Sequence, residues 1–206
     1  MLKKSIIILF LSFLVMGFDF GESAHAASLL KQGDRGGHVY QLQRQLKKMG
    51  YFHTQPTGYY GPVTRESVRR FQSDMHIMQN GMVGKNTYNH LRNVEKLAHT
   101  VYGEARGESY IGQVAVAAVV LNRVDSAQFP NTIDGVLFQT NAFTAVHDGQ
   151  YHLSPNHTAY RAAIDAMRGW DPSSGSYYYY NPSIATSKWI LTRPVVKRIG
   201  GHVFAR

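Results

Sequence analysis

Cysteine is missing from all 206 residues, and that absence removes several kinds of chemistry at once. The chain can form no disulfide and no thiolate zinc site, and it cannot use a cysteine nucleophile, which excludes the cysteine peptidases. Histidine offers no alternative metal site. There is no H-E-x-x-H, and His147, His152 and His157, spaced by five, match no ligand pair on one helix. The expectation is no metal, no cofactor and solvated loop histidines. Acidic residues are also scarce: 13 Asp and Glu face 22 Lys and Arg, for a formal charge of +9. Such a chain is drawn to polyanions. No basic helix or recognition motif accompanies the charge, which argues against nucleic acid.

The first residues present Lys3 and Lys4, an apolar stretch from Ser5 to Phe18, and Ala24-His25-Ala26 as a small-x-small site. This reads as an export signal over residues 1–26, cleaved near Ala26. Its core is too short for a comfortable membrane span, so no stable membrane insertion is expected after cleavage. Removing Lys3, Lys4, Asp19 and Glu22 leaves the charge at +9. For an exported bacterial protein the polyanion is the cell wall, and the expected location is secreted or wall-associated.

Residues 28–92 carry a weak internal repeat. Gly33-Asp34-Arg35-Gly36 precedes Val39, Leu42-Gln43 and Leu46; Gly58-Tyr59-Tyr60-Gly61 precedes Val68 and Phe71-Gln72; Gly81-Met82-Val83-Gly84 precedes Tyr88 and Leu91. Three tight turns therefore introduce three short amphipathic helices, each too short to persist alone, so they share a core. The G-D-x-G opening, the V-x-x-L-Q helix, the G-x-x-G-x-x-T turn ending at Thr64 and the V-x-x-F-Q helix resemble the three-helix peptidoglycan-binding domain. The resemblance implies a wall-binding module with Gln43, Tyr51, Tyr59 and Tyr60 near its groove. The alternative is that the tyrosines cover the core. Asn93-Val94-Glu95 is the only linker candidate, without a Pro- or Ser-rich spacer, so the two halves should sit close together.

The second half, residues 94–206, is organised around Leu97 to Glu108. Val94, Leu97, Ala98, Val101 and Ala105 recur at helical spacing and define one buried stripe. Glu104 borders that stripe, with Gly103 and Gly107 marking the helix end. Helix-end carbonyls and an apolar flank both favour a protonated carboxyl, so Glu104 is the candidate general acid. Glu108, one turn on if the helix continues, either tunes Glu104 or pairs with Arg106, Arg123 or Arg161. Tyr110 to Val124 is apolar almost all round, ends on polar ground at Asn122-Arg123, and belongs at a domain centre. Ala142 to Val146 reads as a brief extended segment. Ser154-Pro155 reads as the opening of a helix that stops at Gly169. Tyr177 to Tyr180, Trp189-Ile190 and His202 to Phe204 read as strands.

Val101-Tyr102-Gly103-Glu104-Ala105-Arg106-Gly107-Glu108, Gly112 to Val116, Leu121-Asn122-Arg123, Ala142-Phe143-Thr144-Ala145-Val146, Gly169-Trp170-Asp171-Pro172, Tyr179-Tyr180-Asn181-Pro182 and Trp189-Ile190 together resemble the catalytic domain of the spore cortex-lytic enzymes. The fold this implies is α+β: a small three-helix wall-binding domain, then a mainly helical, lysozyme- and transglycosylase-like domain with a small β element. The implied activity is cleavage of peptidoglycan glycan strands by a lytic transglycosylase, on spore cortex during germination or on vegetative wall, with Glu104 matching the catalytic glutamate. Family members carry a long linker between the domains; this chain does not. Phe143, Tyr179, Tyr180 and Trp189 are the candidate sugar contacts, since aromatic faces suit sugar rings.

A lytic transglycosylase manages with one carboxylate where ordinary glycosidases need two. The alternatives are an amidase or another wall hydrolase, which the lack of zinc ligands and cysteine disfavours, and a non-catalytic wall-binding protein. The expected partner is peptidoglycan, of vegetative wall or spore cortex, with a regulatory partner protein left open and unidentified.

Overall fold

The computed structural model describes residues 29–140 and 142–206; the expected export signal, 1–26, lies outside them. Helices α1 (Gly37–Lys48) and α2 (Pro62–Asp74) follow the first two glycine turns. Val39, Leu42 and Leu46 of α1 are buried, as are Val68 and Phe71 of α2. The glutamines of the repeat account for its spacing. Gln43 accepts from the Thr57 and Gly58 N–H groups and donates to Thr64 Oγ1 and the Tyr59 carbonyl. Gln72 does the same one repeat later, accepting from Gly81 N–H and donating to Thr87 Oγ1 and the Met82 carbonyl. Each buried amide thus satisfies the polar groups of the next turn, which would otherwise be costly to bury.

The third helix is not short. α3 runs Lys85–Ala105, 21 residues or about 30 Å, straight through Asn93-Val94-Glu95. The expected linker is helix interior because no glycine or proline interrupts residues 85–102 and because Val94 continues the stripe of Leu91, Leu97, Ala98 and Val101, all buried. The boundary between the two halves therefore falls inside one rigid rod, and a single apolar core runs from Leu30 through Val94 and Leu97 to Ile164.

Polar contacts fasten the same junction. The Glu95 carboxylate accepts from the Tyr160 hydroxyl at 2.6 Å and from Lys48 Nζ at 3.3 Å, with His99 Nε2 3.7 Å away. Burial works against that charge, but the hydrogen bonds from His99 and Tyr160 and the Lys48 charge outweigh it and hold Glu95 at about 2. Asp74 of α2 accepts from Tyr51 and faces Arg168.

α4 (Tyr110–Val124) is the central helix, buried without interruption from Gly112 to Val120, and packs against α3 and against α7 (His157–Met167). Ser109 caps α4. α7 opens at Asn156, whose side chain accepts from Ala159 N–H at 2.9 Å. Ser154-Pro155 therefore lies outside the helix, because Asn156 supplies the cap itself. Between them lie α5 (Ile133–Leu137), α6 (Thr144–His147) and a 3-10 turn, Gln150–His152. Of the segment expected to be extended, Phe143 is extended and the next residues are helical.

Strands β1 (Tyr178–Tyr180), β2 (Val195–Ile199) and β3 (His202–Ala205) form one antiparallel sheet in the order β1-β3-β2, with Tyr179 opposite Phe204. Trp189-Ile190 is not strand but part of α8 (Lys188–Leu191), where Ser187 caps the Ile190 N–H. The expected α+β class holds: the described residues are mainly helical with one small sheet.

Candidate active site

Glu104 sits in the last turn of α3, where Arg106 Nη1 donates to the Tyr102 and Gly103 carbonyls and closes the helix. Its neighbour Gly103 has no room for a side chain. A Cβ there would stand 2.5 Å from Ala145 Cβ and about 3.4 Å from the Gln150 backbone. That close approach lets α6 rest on α3, and Ala145 N–H donates to Glu104 Oε1 at 2.6 Å. From the other side the Tyr179 hydroxyl donates to Oε2 at 3.0 Å. Burial first, and then the Glu104 charge and its hydrogen bond, push the Tyr179 phenol well above its ordinary value. It stays protonated, so it can donate to a carboxylate and accept from a carboxylic acid. The Ala145 amide can only donate. A proton on Glu104 therefore resides on Oε2, beside Tyr179.

These groups open into a cleft of about 420 Å³ lined by Glu104, Ala145, Gln150, Tyr179, Tyr180, Asn181 and His202, among others. Beneath it lies Arg123, a residue that the sequence reading placed at a polar helix end. It is buried, donates to the Tyr177 carbonyl at 2.7 Å, and lies against the rings of Phe143, Phe129 and Tyr178. Burial lowers its pKa, opposed by Tyr179, Tyr178 and Glu104, yet an arginine stays charged. The signal for it was a single cation near the end of an apolar helix.

Other candidates fall elsewhere. Phe143 is 2% exposed and outside the cleft lining, packed beside Tyr179 with ring centroids 6.4 Å apart. Trp189 is exposed but stands outside the cleft lining, edge-on to Tyr178 and under Arg193. Glu108 pairs with none of the three arginines. The helix has ended before it, and its Oε2 accepts from Gly201 N–H in the β2–β3 turn at 3.0 Å. In the first module Gln43 is 1% and Tyr60 0% exposed; Tyr51 is also buried, with its hydroxyl donating to Asp74. These three are core or clamp residues, because each polar atom meets a protein partner. Tyr59 keeps an exposed ring, with Arg35 over one face.

A larger cleft of about 720 Å³ opens where the modules meet. Its carboxylates are already engaged: Asp74 with Tyr51, Asp165 with Tyr110, and both facing Arg168. It offers no acid comparable to Glu104.

The "Cell Wall Hydrolase" family model matches residues 107–205, and a peptidoglycan binding domain model matches 35–91. A spore cortex-lytic enzyme of Bacillus cereus is 38% identical over 228 aligned residues, covering 89% of this chain and 88% of the relative. The chain belongs to the spore cortex-lytic enzyme family. Another spore cortex-lytic enzyme, from Bacillus subtilis (strain 168), is 59% identical over 111 residues, 54% of this chain and 36% of the relative. Two solved structures also resemble this family member: the catalytic domain of the Bacillus cereus SleB protein and that of the germination-specific lytic transglycosylase SleB from Bacillus anthracis. Each has a TM-score of 0.53 and 60% identity over 55% of this chain, covering 89% and 93% of the two neighbours.

Proposed function

We propose that this chain cleaves peptidoglycan glycan strands as a lytic transglycosylase, with Glu104 acting first as acid and then as base. The observation that carries the reading is the make-up of the cleft. Among the described residues lining it, Glu104 is the one carboxylate. A two-carboxylate glycosidase needs a second across the scissile bond, and Glu108 is committed to Gly201.

In the first half of the reaction Glu104 Oε2–H protonates the glycosidic oxygen and the C–O bond breaks. The Tyr179 hydroxyl then turns its proton toward the new carboxylate. In the second half that carboxylate takes the proton of the muramic 6-hydroxyl, whose oxygen closes onto the anomeric carbon as an anhydro ring. The acid is regenerated and no water is consumed. The relatives' names as spore cortex-lytic enzymes support spore cortex as the substrate, and residues 28–92 and 94–206 are assigned as wall-binding and catalytic halves. The 1–26 segment supports export to the wall.

Digestion of purified cortex and vegetative sacculi tests this directly. Anhydromuramic ends are expected, and Glu104→Gln should lower their release at least about a thousandfold while leaving sacculus binding intact. Reducing ends, new amines or an active Glu104→Gln enzyme would each overturn the assignment.

A further inference from the structure

His202 begins β3 and lines the Glu104 cleft, yet the mechanism above does not use it. The residue is only 9% exposed. The ring packs against Tyr179 at 5.2 Å and Phe204 at 6.3 Å between centroids. Nδ1 is sealed from solvent and has no hydrogen-bond partner among the described residues; Nε2 is not among such sealed atoms. Of the two ring nitrogens, Nε2 is thus the one left able to reach the cleft that His202 lines.

Burial lowers the imidazole pKa, against the pull of the two carboxylates that face it, Glu108 and Glu104, so the ring is neutral at neutral pH. A neutral imidazole carries one N–H. On Nδ1 it would be a buried donor with no acceptor, a costly arrangement. On Nε2 it is offered to whatever enters the cleft.

We infer that His202 is a substrate-binding residue that donates Nε2–H to an uncharged oxygen of the sugar, a carbonyl such as that of the acetamido group or a hydroxyl. This rests on the reading that the cleft holds a glycan strand. The acceptor is uncharged because Glu104 and Glu108 make the local field negative and repel a carboxylate. Glu108 is the positioning residue. Its carboxylate holds Gly201 N–H and lies where Cβ atoms on Gly200 and Gly201 would stand, which fixes the turn from which His202 emerges.

Affinity for soluble glycan fragments of the wall is measured in the full chain carrying Glu104→Gln, with and without a change at His202. His202→Leu should weaken binding about ten- to a hundredfold. His202→Gln, whose amide nitrogen reaches the place of Nε2, should restore it to within about threefold. In the chain with Glu104 intact, the Leu change should raise KM by the same factor with kcat nearly unchanged, as expected for binding that is equal in ground and transition states. A purely structural role would instead lower the melting temperature and leave Gln no better than Leu. Nitrogen-15 NMR of the unmutated chain needs no variant to fold: it should show the Nε2–H tautomer and a shift of that nitrogen on adding fragments. An Nδ1–H tautomer, an unresponsive ring, or a Leu variant within about twofold of its parent overturns the inference. If the ring responds while the product is a cut stem peptide, the transglycosylase reading falls and this one stands. If anhydro ends form and the ring is silent, the reverse holds.

Discussion

Gly103→Ala should damage catalysis without touching a catalytic atom. The new Cβ would lie 2.5 Å from Ala145 Cβ, whereas carbon atoms pack at about 3.5–4.0 Å. Something must move by roughly 1 Å or more. Ala145 is only 1% exposed and cannot swing aside as a long side chain would, so α6 as a whole is displaced. That displacement stretches the 2.6 Å bond from Ala145 N–H to Glu104 Oε1 beyond useful hydrogen-bonding range. Overpacking of this kind costs about 1–3 kcal/mol. The gain from replacing a helical glycine by alanine, at most about 1 kcal/mol, offsets part of it. Misplacing the acid by about 1 Å should cost on the order of a hundredfold in kcat. The assay is release of anhydro-ended fragments from cortex beside a thermal melt and a sacculus pull-down. Activity within about twofold of the parent would show that the contact between α6 and α3 does not set the geometry of Glu104.

Tyr179→Phe should leave sacculus binding unchanged and lower kcat about ten- to a hundredfold, since Oε2 loses the hydroxyl that hydrogen-bonds it in both its acid and its carboxylate form; an unchanged kcat from single-turnover digestion would remove Tyr179 from the cycle. Stability at the junction should depend on pH in a bounded window. The Glu95 contribution is present above the ordinary carboxyl value of 4.5 and lost as pH falls through about 2. His99 is raised from 6.5, chiefly by its hydrogen bond to Glu95, so its contribution is present below 6.5 and lost as pH rises through the folded value. The gap in urea midpoint between the parent and Glu95→Gln should therefore be widest between 4.5 and 6.5; a gap independent of pH would refute the pairing.

The three glycine turns, the buried stripe of α3 and the central α4 were legible in the sequence because each is a local pattern of backbone freedom or apolar spacing. What escaped it depended on tertiary partners. Gln43 looked like a groove residue because nothing local reveals that its amide closes the turn around Gly58. Trp189 has strand-like composition, but the Ser187 cap makes it helical. Glu108 was one turn from Glu104 only if the helix continued, and the strands brought a different partner to it. The continuity of α3 was readable from Val94, Leu97 and Val101, yet a boundary between two modules obscured it. Glu104 itself was visible, whereas its two hydrogen-bond donors, from α6 and β1, were not paired with it by any spacing.

An enzyme tethered by a flexible strap explores every bond within the length of that strap. Here the anchor and the blade share one shaft: from Lys85 to Glu104 the rise along α3 is about 28 Å, and the Glu95 cluster resists bending at its midpoint. On the proposed mechanism, an anchor seated on a strand would set the place of the cut like the second leg of a locked pair of dividers, and the spacing of successive cuts would record where the anchor sits.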